Sequence, residues 1–389
     1  MNKCLFVLRS AGIGGTATSL SNLLSLFKEK GMDFDVFLFT HDGEFAQRVK
    51  NVANLLPEER ILSSVFCTRE NLKKRGFISK LIRTVYTVLH RIIGVQKTNN
   101  LVFKLSARKL AKKYDTVVAF QEDATTEYVR YIKCKNRVAW CHVNYHALST
   151  LSKMDKEYLT DRYSSFDKIV CVSNNIRQSM IENLGVNPDI ISVVYNTIPA
   201  EFIKEQSLKE QIKEIPQKEF KIVSVGRFAE VKRFDRVVLA AKELKKKNID
   251  FVWYILGDGK EYERIKSMIN DEDLQNEVLL FGNRTNPFPY IAKADCLVMS
   301  STSEGQPMVL NEALVLGIPV ITTDFASARE VVGHVKGATI VPNTQEGLTE
   351  GVLEFVNNEE LRNITKEYAK EFVYNNDAIL KQVLDVINT

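Results

Sequence analysis

The chain has 389 residues, of which 45% are hydrophobic and 26% are charged. This length suits two domains with separate cores, and the composition is that of an ordinary globular protein. The formal net charge is +5, but we find no nucleic-acid-binding motif, and no apolar run approaches the roughly 20 residues of a membrane span.

Cysteine usage favours a reduced, cytoplasmic setting. The six cysteines include no Cys-x-x-Cys pair, and several fall in predicted strands, where buried free thiols are expected. A disulfide framework or a zinc site is therefore disfavoured. The first residues carry too short an apolar run for a signal peptide and lack a cleavage site, so we expect no secretion signal.

The first half of the chain alternates strand and helix patterns, which predicts a doubly wound parallel sheet. Helices are predicted over Thr16–Lys30 and Asn174–Leu184. The predicted strands are Lys3–Arg9, Asp35–Thr40, Thr116–Phe120, Arg137–Trp140, Lys168–Val172 and Ile191–Tyr195.

The net charge is unevenly distributed, because thirteen Lys and Arg residues against one acid, Glu70, lie between Arg69 and Lys113. This stretch carries +12 and leaves −7 for the remainder. Apolar residues recur within it at helical spacing and predict an amphipathic basic helix: Phe77, Ile78, Leu81, Ile82, Val85, Leu89, Ile92 and Ile93. Such a helix can lie on an anionic membrane surface, where salt would weaken its binding. A core-facing helix with a solvated basic face is the alternative.

A polar, Lys/Glu/Gln-rich stretch over Pro199–Glu219 is typical of an interdomain linker. A second alternating series follows, and the last stretch, from about Glu346 to Thr389, has a helical pattern. This predicts a second Rossmann-like domain. Its predicted strands are Lys221–Gly226, Phe251–Gly257, Val278–Phe281, Asp295–Ser300 and Pro319–Thr322.

Glycines and polar residues follow the strands of both predicted domains. In open parallel sheets ligands bind beyond the carboxyl ends of the strands, so we expect the site in a cleft between the domains. The residues concerned are Gly14, Gly15, His142, Gly226, Arg227, Gly257, Gly259, Gly282, Asn283 and Glu304.

The most informative of these loops runs from Ser300 to Leu314. It leads from a predicted strand through Glu304 to a helix that begins near Met308, after Pro307. The N–H groups and dipole of that helix favour a phosphate, while the carboxylates of Glu304 and Glu312 can accept hydrogen bonds from hydroxyl groups. A nucleotide-sugar carries both groups. The alternative is that Glu304 belongs to a helix cap and Glu312 is a solvated helix residue.

Basic residues in the second domain fit the same ligand. Arg227 follows the glycine that ends a predicted strand, and Lys232 lies just before the predicted helix Arg233–Lys247. Both can reach a diphosphate leaving group and neutralise its charge. Plain surface charge is the alternative, especially for Lys232.

Two other ligand classes have motifs in the first domain. Gly12-x-Gly14-x-x-Ala17 matches the dinucleotide fingerprint, with Asp42 available for the ribose, which leaves an NAD- or FAD-dependent enzyme open. The pair Asp33 and Asp35 could hold a metal ion, but it precedes a strand, at the wrong end of the sheet, and is interpreted as a turn.

Two nearby histidines could also be metal ligands. His142 and His146 lack a third ligand, so a polar His142 facing the cleft, or a structural one, is favoured.

Together these residues resemble glycosyltransferase family 4, retaining enzymes of GT-B fold. The resemblance covers essentially the whole chain and is strongest over residues 221–332. Two departures are visible: Thr16-Ala17-Thr18 follows the glycine pair where many members have Ala or Val and then an acid, and Arg233 replaces a glycine that often follows the lysine. Both weaken detailed inference about the donor or acceptor.

The resemblance implies an organisation and a set of roles. It implies an acceptor-side domain over residues 1–200, a donor domain over residues 215–371 and a C-terminal helix at about 372–389 that packs back on the first. Glu304 would hold the sugar hydroxyls, Glu312 the ribose, and His142 would lie beside the sugar. The diphosphate, the base and the remaining donor contacts would fall to Arg227, Lys232, Gly14, Gly15, Gly282, Asn283, Gly305, Gln306, Pro307, Met308 and Val309.

The implied reaction is metal-independent, retaining transfer of a hexose or N-acetylhexosamine from a nucleotide-sugar, preferably a uridine one. The acceptor would be lipid-linked or a surface polysaccharide such as a capsule, and the enzyme would be cytoplasmic at the inner face of the membrane. A nucleotide-sugar epimerase with the same two-domain plan and a catalytically silent binding subunit remain open.

Overall fold

The computed structural model describes residues 2–9, 14–144 and 153–388. The chain divides into two compact units. Unit 1 comprises Met1–Thr197 with Asn376–Thr389, and unit 2 comprises Ile198–Asn375. Each unit contains a parallel β-sheet covered by helices, as the strand and helix patterns predict.

Seven described strands form the sheet of unit 1, in the order β3-β2-β1-β4-β5-β6-β7, and all neighbours are parallel. Apolar residues fill β1, β4 and most of β5 and β6, as expected of strands buried on both faces. The strands are β1 (Cys4–Leu8), β2 (Asp35–Leu38), β3 (Asn54–Leu55), β4 (Thr116–Ala119), β5 (Asn136–Cys141), β6 (Lys168–Cys171) and β7 (Ile191–Val193).

The helices of unit 1 connect these strands and cover the sheet, which is the arrangement that parallel pairing requires. The last of them is the C-terminal helix, and Thr116 Oγ1 donates to the carbonyl of its final residue, Ile387, at 2.7 Å. The helices are α1 (Gly15–Glu29), α2 (Glu44–Val52), α3 (Arg60–Phe66), α4 (Arg69–Lys74), α5 (Phe77–Ile93), α6 (Val95–Ala107), α7 (Ala124–Val129), α8 (Lys153–Ser164), α9 (Asn174–Leu184) and, at the end of the chain, α18 (Asn376–Ile387).

Unit 2 has six described strands in the order β10-β9-β8-β11-β12-β13, again all parallel. The strands are β8 (Phe220–Val225), β9 (Phe251–Leu256), β10 (Val278–Gly282), β11 (Cys296–Met299), β12 (Val320–Thr323) and β13 (Ala338–Val341). The helices are α10 (Ala200–Ser207), α11 (Phe234–Lys246), α12 (Tyr262–Asp271), α13 (Phe288–Ile291), α14 (Met308–Val315), α15 (Ala328–Val332), α16 (Gln345–Asn357) and α17 (Glu359–Lys370).

The predicted doubly wound sheets are confirmed, and the differences lie at their edges. The sequence pattern did not predict β3 and β13, the outermost strands on one side of each sheet. β3 has only two residues, and three of the four residues of β13 are partly exposed, so neither forms the continuous apolar run of a central strand.

The stretch interpreted as a linker, Pro199–Glu219, contains helix α10. Ile198 and Ile203 are fully buried in a cluster with Val315 of α14, so the start of this stretch belongs to the core of unit 2. The C-terminal stretch from Glu346 is divided among three helices rather than being continuous.

No helix among the described residues combines the length and apolarity needed to cross a membrane. The strand order reverses once in each sheet, between β1 and β4 in unit 1 and between β8 and β11 in unit 2. Loops that leave the carboxyl ends of such neighbouring strands diverge and open a crevice, where ligands of this fold class bind. These two positions locate the candidate site residues.

Candidate functional site

In unit 2, Lys232 and Glu304 meet where the strand order reverses. Lys232 follows β8 and Glu304 follows β11, and Lys232 Nζ lies 2.7 Å from Glu304 Oε1. The same carboxylate oxygen accepts a hydrogen bond of 2.7 Å from Ser301 Oγ. Glu304 Oε2 accepts no hydrogen bond from the described residues. The pair is partly buried, with side-chain exposures of 19% and 16%, so it is shielded yet still accessible to a ligand.

Hydrogen bonds to backbone carbonyls hold these two loops together. Ser300 Oγ donates to the Lys232 carbonyl at 2.7 Å, and the Thr302 amide donates to the Val231 carbonyl at 2.8 Å. The Glu304 carbonyl accepts from Ser327 Oγ at 2.9 Å. The positions of Lys232 and Glu304 are therefore fixed by the scaffold before any ligand binds.

Glycines allow the loops after β8 and β9 to approach closely. Gly257 has a φ of +139°, and a Cβ at this position would lie 1.9 Å from the Gly226 carbonyl oxygen. A Cβ at Gly226 would lie 3.2 Å from Cε of Lys232, so the lysine side chain runs along this glycine. A larger residue at Gly257 would displace the Gly226 carbonyl, whereas a larger residue at Gly226 would press on the Lys232 side chain.

The N-terminus of α14 faces the end of the Glu304 loop, as predicted. Pro307 precedes the helix without a side-chain cap, and Gly305 and Gln306 form the approach to it. Met308 and Val309 occupy its first turn, where amide groups have no intrahelical partner. An anion is the natural partner of such a helix end.

Glu312, in the second turn of α14, is not a solvated helix residue. It is only 8% exposed, and burial raises the pKa of its carboxyl to about 7. No ion pair or hydrogen bond to its carboxyl occurs within the described part of the chain. A buried carboxyl without a partner is costly in free energy, and ligand hydroxyls could satisfy it.

Arg227 and Arg233 differ although both follow β8. Arg227 is exposed, and its guanidinium forms no ion pair with the residues described, which leaves it available for a phosphate. Arg233 instead pairs with Asp235 at 2.8 Å. Its φ of 51° is left-handed, and this explains why a glycine suits the position: glycine adopts that conformation without strain.

At the end of β10, Gly282 has a φ of +68°, and its carbonyl accepts from the Gly257 amide at 2.8 Å. Asn283 is exposed next to it. Arg284 pairs with Glu214 at 3.0 Å and lies over the rings of Phe281 and Tyr290. Gly282 and Asn283 thus lie at the same edge of the sheet as Gly226 and Gly257.

In unit 1, His142 directly follows β5 and has a buried Nε2 that bonds to none of the described residues. Burial lowers the pKa of its imidazole to about 3, against a hydrogen bond with the Phe120 backbone, so the ring is neutral at neutral pH. Its ring packs 5.1 Å from that of Phe120. Gly14 and Gly15 begin α1, and a Cβ at either would meet no atom within 4 Å.

Glu122 was not predicted as a site residue from the sequence. Its carboxylate, on the loop after β4, accepts hydrogen bonds from the backbone amides of His142 and, at 2.9 Å, Val143. Burial raises the pKa of this carboxyl, and the two amides act in the opposite direction. The available signal was an acid shortly after a strand that borders the strand-order reversal.

The competing motifs do not gain support. Asp35 is engaged, accepting from Tyr114 Oη at 2.7 Å and Asn54 Nδ2 at 2.6 Å. Asp42 pairs with Arg75 at 3.2 Å. Gly12 and His146 lie outside the described residues.

Family comparisons agree with the geometry of both units. The model described as "Glycosyl transferases group 1" matches residues 205–372, and "Glycosyltransferase Family 4" matches residues 13–202. The chain belongs to glycosyltransferase family 4. This chain is therefore a hexosyltransferase. Membership of this family excludes the alternative that the glycine motif left open, an NAD- or FAD-dependent enzyme.

Two curated relatives act on diphospho-undecaprenol substrates according to their names. An N-acetylgalactosamine-N,N'-diacetylbacillosaminyl-diphospho-undecaprenol 4-alpha-N-acetylgalactosaminyltransferase of Campylobacter jejuni is 26% identical over 95% of this chain and 94% of the relative. A UDP-Gal:alpha-D-GlcNAc-diphosphoundecaprenol alpha-1,3-galactosyltransferase of Escherichia coli is 29% identical over 56% of this chain and 58% of its own length.

Solved structures support the GT-B fold. TarM of S. aureus, crystallised as a variant with Fondaparinux, alpha-GlcNAc-glycerol and UDP, superposes with a TM-score of 0.75 at 15% identity, over 100% of both chains. HepE of Anabaena, crystallised with UDP and glucose, has a TM-score of 0.71 at 16% identity, also over 100% of both. At 15% to 16% sequence identity, this similarity shows the fold alone.

Proposed function

We propose that this family 4 enzyme is a retaining transferase that moves a hexose or N-acetylhexosamine from a UDP-sugar to a lipid-linked or polysaccharide acceptor in cell-surface glycan biosynthesis. The observation that carries the proposal is the Lys232–Glu304 pair beside the uncapped N-terminus of α14, with the unpartnered Glu312 four residues into that helix. These groups match a nucleotide-sugar in charge and hydrogen bonding.

The donor is proposed to bind in unit 2 by distinct parts. Glu304 accepts from sugar hydroxyls through Oε2, and the Glu312 carboxylate accepts from the ribose hydroxyls. Arg227, Lys232 and the first amides of α14 hold the diphosphate. Gly282 and Asn283 border the base, and Gly305 to Val309 contribute backbone contacts.

In the proposed step, the bond between the anomeric carbon and the diphosphate oxygen breaks as the acceptor hydroxyl bonds to the same face of the sugar. The acceptor proton passes to an oxygen of the leaving diphosphate, so the products are the glycosylated acceptor and a nucleoside diphosphate. Arg227, Lys232 and the helix end stabilise the negative charge that develops, because fixed charges need no reorganisation during the reaction.

Three residues of unit 1 are also assigned to ligand binding. Neutral His142 is assigned to the transferred sugar, where its buried Nε2 would accept or donate one hydrogen bond. Gly14 and Gly15 are assigned to a close approach of phosphate to the start of α1, which the open space above both glycines allows.

The names of the two curated relatives support a polyprenyl-diphosphate-linked acceptor, and the UDP in the E. coli name supports a uridine donor. Such an acceptor is embedded in a membrane. We therefore place the enzyme at the inner face of the cell membrane, attached peripherally through the basic stretch of residues 69–113. No metal ion or other cofactor is required in this proposal, since the basic groups replace it.

The test is an assay with UDP-glucose, UDP-galactose and their N-acetylated forms against undecaprenyl-diphosphate-linked sugars, with and without EDTA. The expected result is an α-linked product and UDP in equal amounts, unchanged by EDTA. Free sugar or its epimer formed without acceptor would identify the epimerase instead, and tight UDP-sugar binding without turnover would identify a silent subunit.

A further inference from the structure

Helix α5 carries an apolar stripe that contributes nothing to the core of unit 1. None of its seventeen residues is buried, although the helix contacts α3 and α6. One face of it exposes large apolar side chains, with Phe77 79% and Ile92 71% exposed. This stripe comprises Phe77, Ile78, Leu81, Val85, Val88 and Ile92.

The geometry of the helix places these six residues together. At 100° per residue they fall within about a 100° sector, which is the width of an amphipathic face. Ile82 and Leu89, which the sequence pattern grouped with them, are less exposed and lie outside that sector, as does the partly buried Tyr86. Ile93, from the same pattern, is 40% exposed but also lies outside the sector. Burial within the chain therefore does not explain the stripe.

Two arginines of the basic stretch hold α5 in place rather than offering free charge. Arg75, just before the helix, pairs with Glu58 at 2.7 Å and Asp42 at 3.2 Å. Arg83 donates to the carbonyls of Ser64 and Val65 at the end of α3. The stripe is thus presented on a fixed helix.

The stripe belongs to a segment of the chain that is rich in cations and lacks acids. No Asp or Glu occurs between Glu70 and Asp115. Of the thirteen basic residues, Lys74, Arg75, Arg83, Lys104 and Lys109 contact other side chains or carbonyls. Eight exposed ones form no ion pair with the residues described: Arg69, Lys73, Lys80, Arg91, Lys97, Arg108, Lys112 and Lys113.

We infer that α5 inserts its apolar stripe into the headgroup and acyl boundary of an anionic phospholipid bilayer, with Lys80 and Arg91 at one border of the stripe contacting lipid phosphates. An exposed apolar face on a helix that carries exposed cations and no acid is complementary to such a bilayer in both respects. This deepens the membrane location proposed above from electrostatic adsorption to insertion, and does not depend on the donor site in unit 2.

The first test uses two variants that add the same charge at neighbouring positions. Val88→Glu places a carboxylate in the stripe, and Thr87→Glu places one outside the stripe, on the exposed side of the helix where Lys80 and Arg91 lie. In sedimentation with phosphatidylcholine vesicles containing phosphatidylglycerol, we expect Val88→Glu to lose at least tenfold in binding and Thr87→Glu less than threefold. Equal losses would overturn insertion, because they would report charge alone.

The second test reports depth. In Leu81→Trp, insertion predicts a blue-shifted tryptophan emission on vesicle addition and quenching by brominated acyl chains. Salt should weaken binding by screening the cations, while the emission of the bound fraction stays blue-shifted.

Three results would overturn the inference: no emission shift, no binding to anionic vesicles, or concentration-dependent dimerisation through the stripe without lipid. UDP binding, which we assign to unit 2, is expected to be unchanged in all three variants. If UDP fails to bind the wild type, the proposed function fails while the membrane result stands.

Discussion

Lys232 Nζ and Ser301 Oγ both bind the same oxygen of Glu304, Oε1, each at 2.7 Å. This leaves Oε2 free of partners among the described residues. The pair therefore has two properties that a sugar site requires: the Glu304 carboxylate is fixed in position, and its second oxygen, Oε2, can accept a hydrogen bond from a ligand. It also places the ammonium group beside that acceptor, where a leaving diphosphate would need positive charge.

Replacing Glu304 by Ala is expected to abolish transfer while leaving nucleotide binding largely intact. The substitution removes the hydroxyl acceptor but frees Lys232 to contact phosphate. Product formation and UDP affinity by calorimetry measure the two effects separately. Glu304→Gln is the matched control, since it keeps an acceptor oxygen and should retain more activity than Glu304→Ala; normal turnover in Glu304→Ala would remove this residue from the site.

Lys232→Ala is expected to lower the transfer rate by about 100-fold or more, as for other losses of an electrostatic donor. Because Lys232 and Glu304 contact each other, their effects should not add. In a double-mutant cycle with Glu304→Gln, we expect the combined loss to be smaller than the product of the single losses. Strict additivity would show that the 2.7 Å contact has no role in the reaction.

Much of this site was predictable because it follows strand ends. The carboxyl ends of buried apolar strands are visible in a sequence, so Arg227, Lys232 and Glu304 could be placed at one edge of the second sheet. The contact between Lys232 and Glu304 could not be predicted, because strand order is not encoded locally. The strands that precede them, β8 and β11, are adjacent in the sheet although two strands separate them along the chain. The burial of Glu312 was hidden for a related reason, since it depends on packing rather than on helical spacing.

The errors have equally physical causes. Glu122 was overlooked because its partners are backbone amides, which leave no trace in residue identity. Helix α10 was interpreted as a linker because its composition is polar, yet one buried side chain, Ile203, is enough to attach it to α14. In the basic stretch the charges were counted correctly, but their division between internal ion pairs and free cations required the structure.

The glycines divide into two classes that a pair of substitutions can separate. Gly257→Ala would force a Cβ against the Gly226 carbonyl at 1.9 Å, at a φ that alanine rarely adopts. We expect a loss of stability on the order of 3 kcal/mol. Gly15→Ala meets no atom within 4 Å and should change the unfolding free energy by less than about 1 kcal/mol.

The activity of Gly15→Ala tests whether this glycine is needed for ligand binding. Gly15→Ala should nonetheless weaken transfer if the start of α1 must approach a phosphate closely. Urea denaturation and steady-state kinetics measure the two properties in parallel. Full activity in a stable Gly15→Ala variant would show that the glycine is not needed for the ligand.

Glu122 is expected to position the His142 loop. Glu122→Ala removes the acceptor of two backbone amides and should lower kcat more than it lowers nucleotide affinity, because the donor is assigned to unit 2. Glu122→Gln retains one carbonyl oxygen, so it should recover most of the activity. Amide exchange at His142 and Val143 provides the structural readout; unchanged protection in Glu122→Ala would contradict the assignment.

The buried carboxyl of Glu312 predicts a pH dependence of stability. Burial raises its pKa from 4.5 to about 7 in the folded chain, so the folded state holds the proton more tightly than the unfolded state. Stability is therefore greatest below the unfolded pKa and falls as pH rises through the interval up to the folded pKa. The total loss is on the order of 3 kcal/mol, taking about 1.4 kcal/mol for each unit of pKa difference. Glu312→Gln should match the wild type in denaturation at pH 4 and exceed it at pH 8.

The same ionisation should control donor binding with the opposite sign. Only the carboxylate accepts hydrogen bonds from both ribose hydroxyls, and a pKa of about 7 makes its population rise about tenfold from pH 6 to pH 8. The affinity for a UDP-sugar, whose diphosphate does not titrate in this range, should strengthen by up to that factor, while His142 stays neutral throughout. Glu312→Gln should bind more weakly and independently of pH. A parallel pH profile in the variant would assign the dependence to another group and remove Glu312 from the ribose.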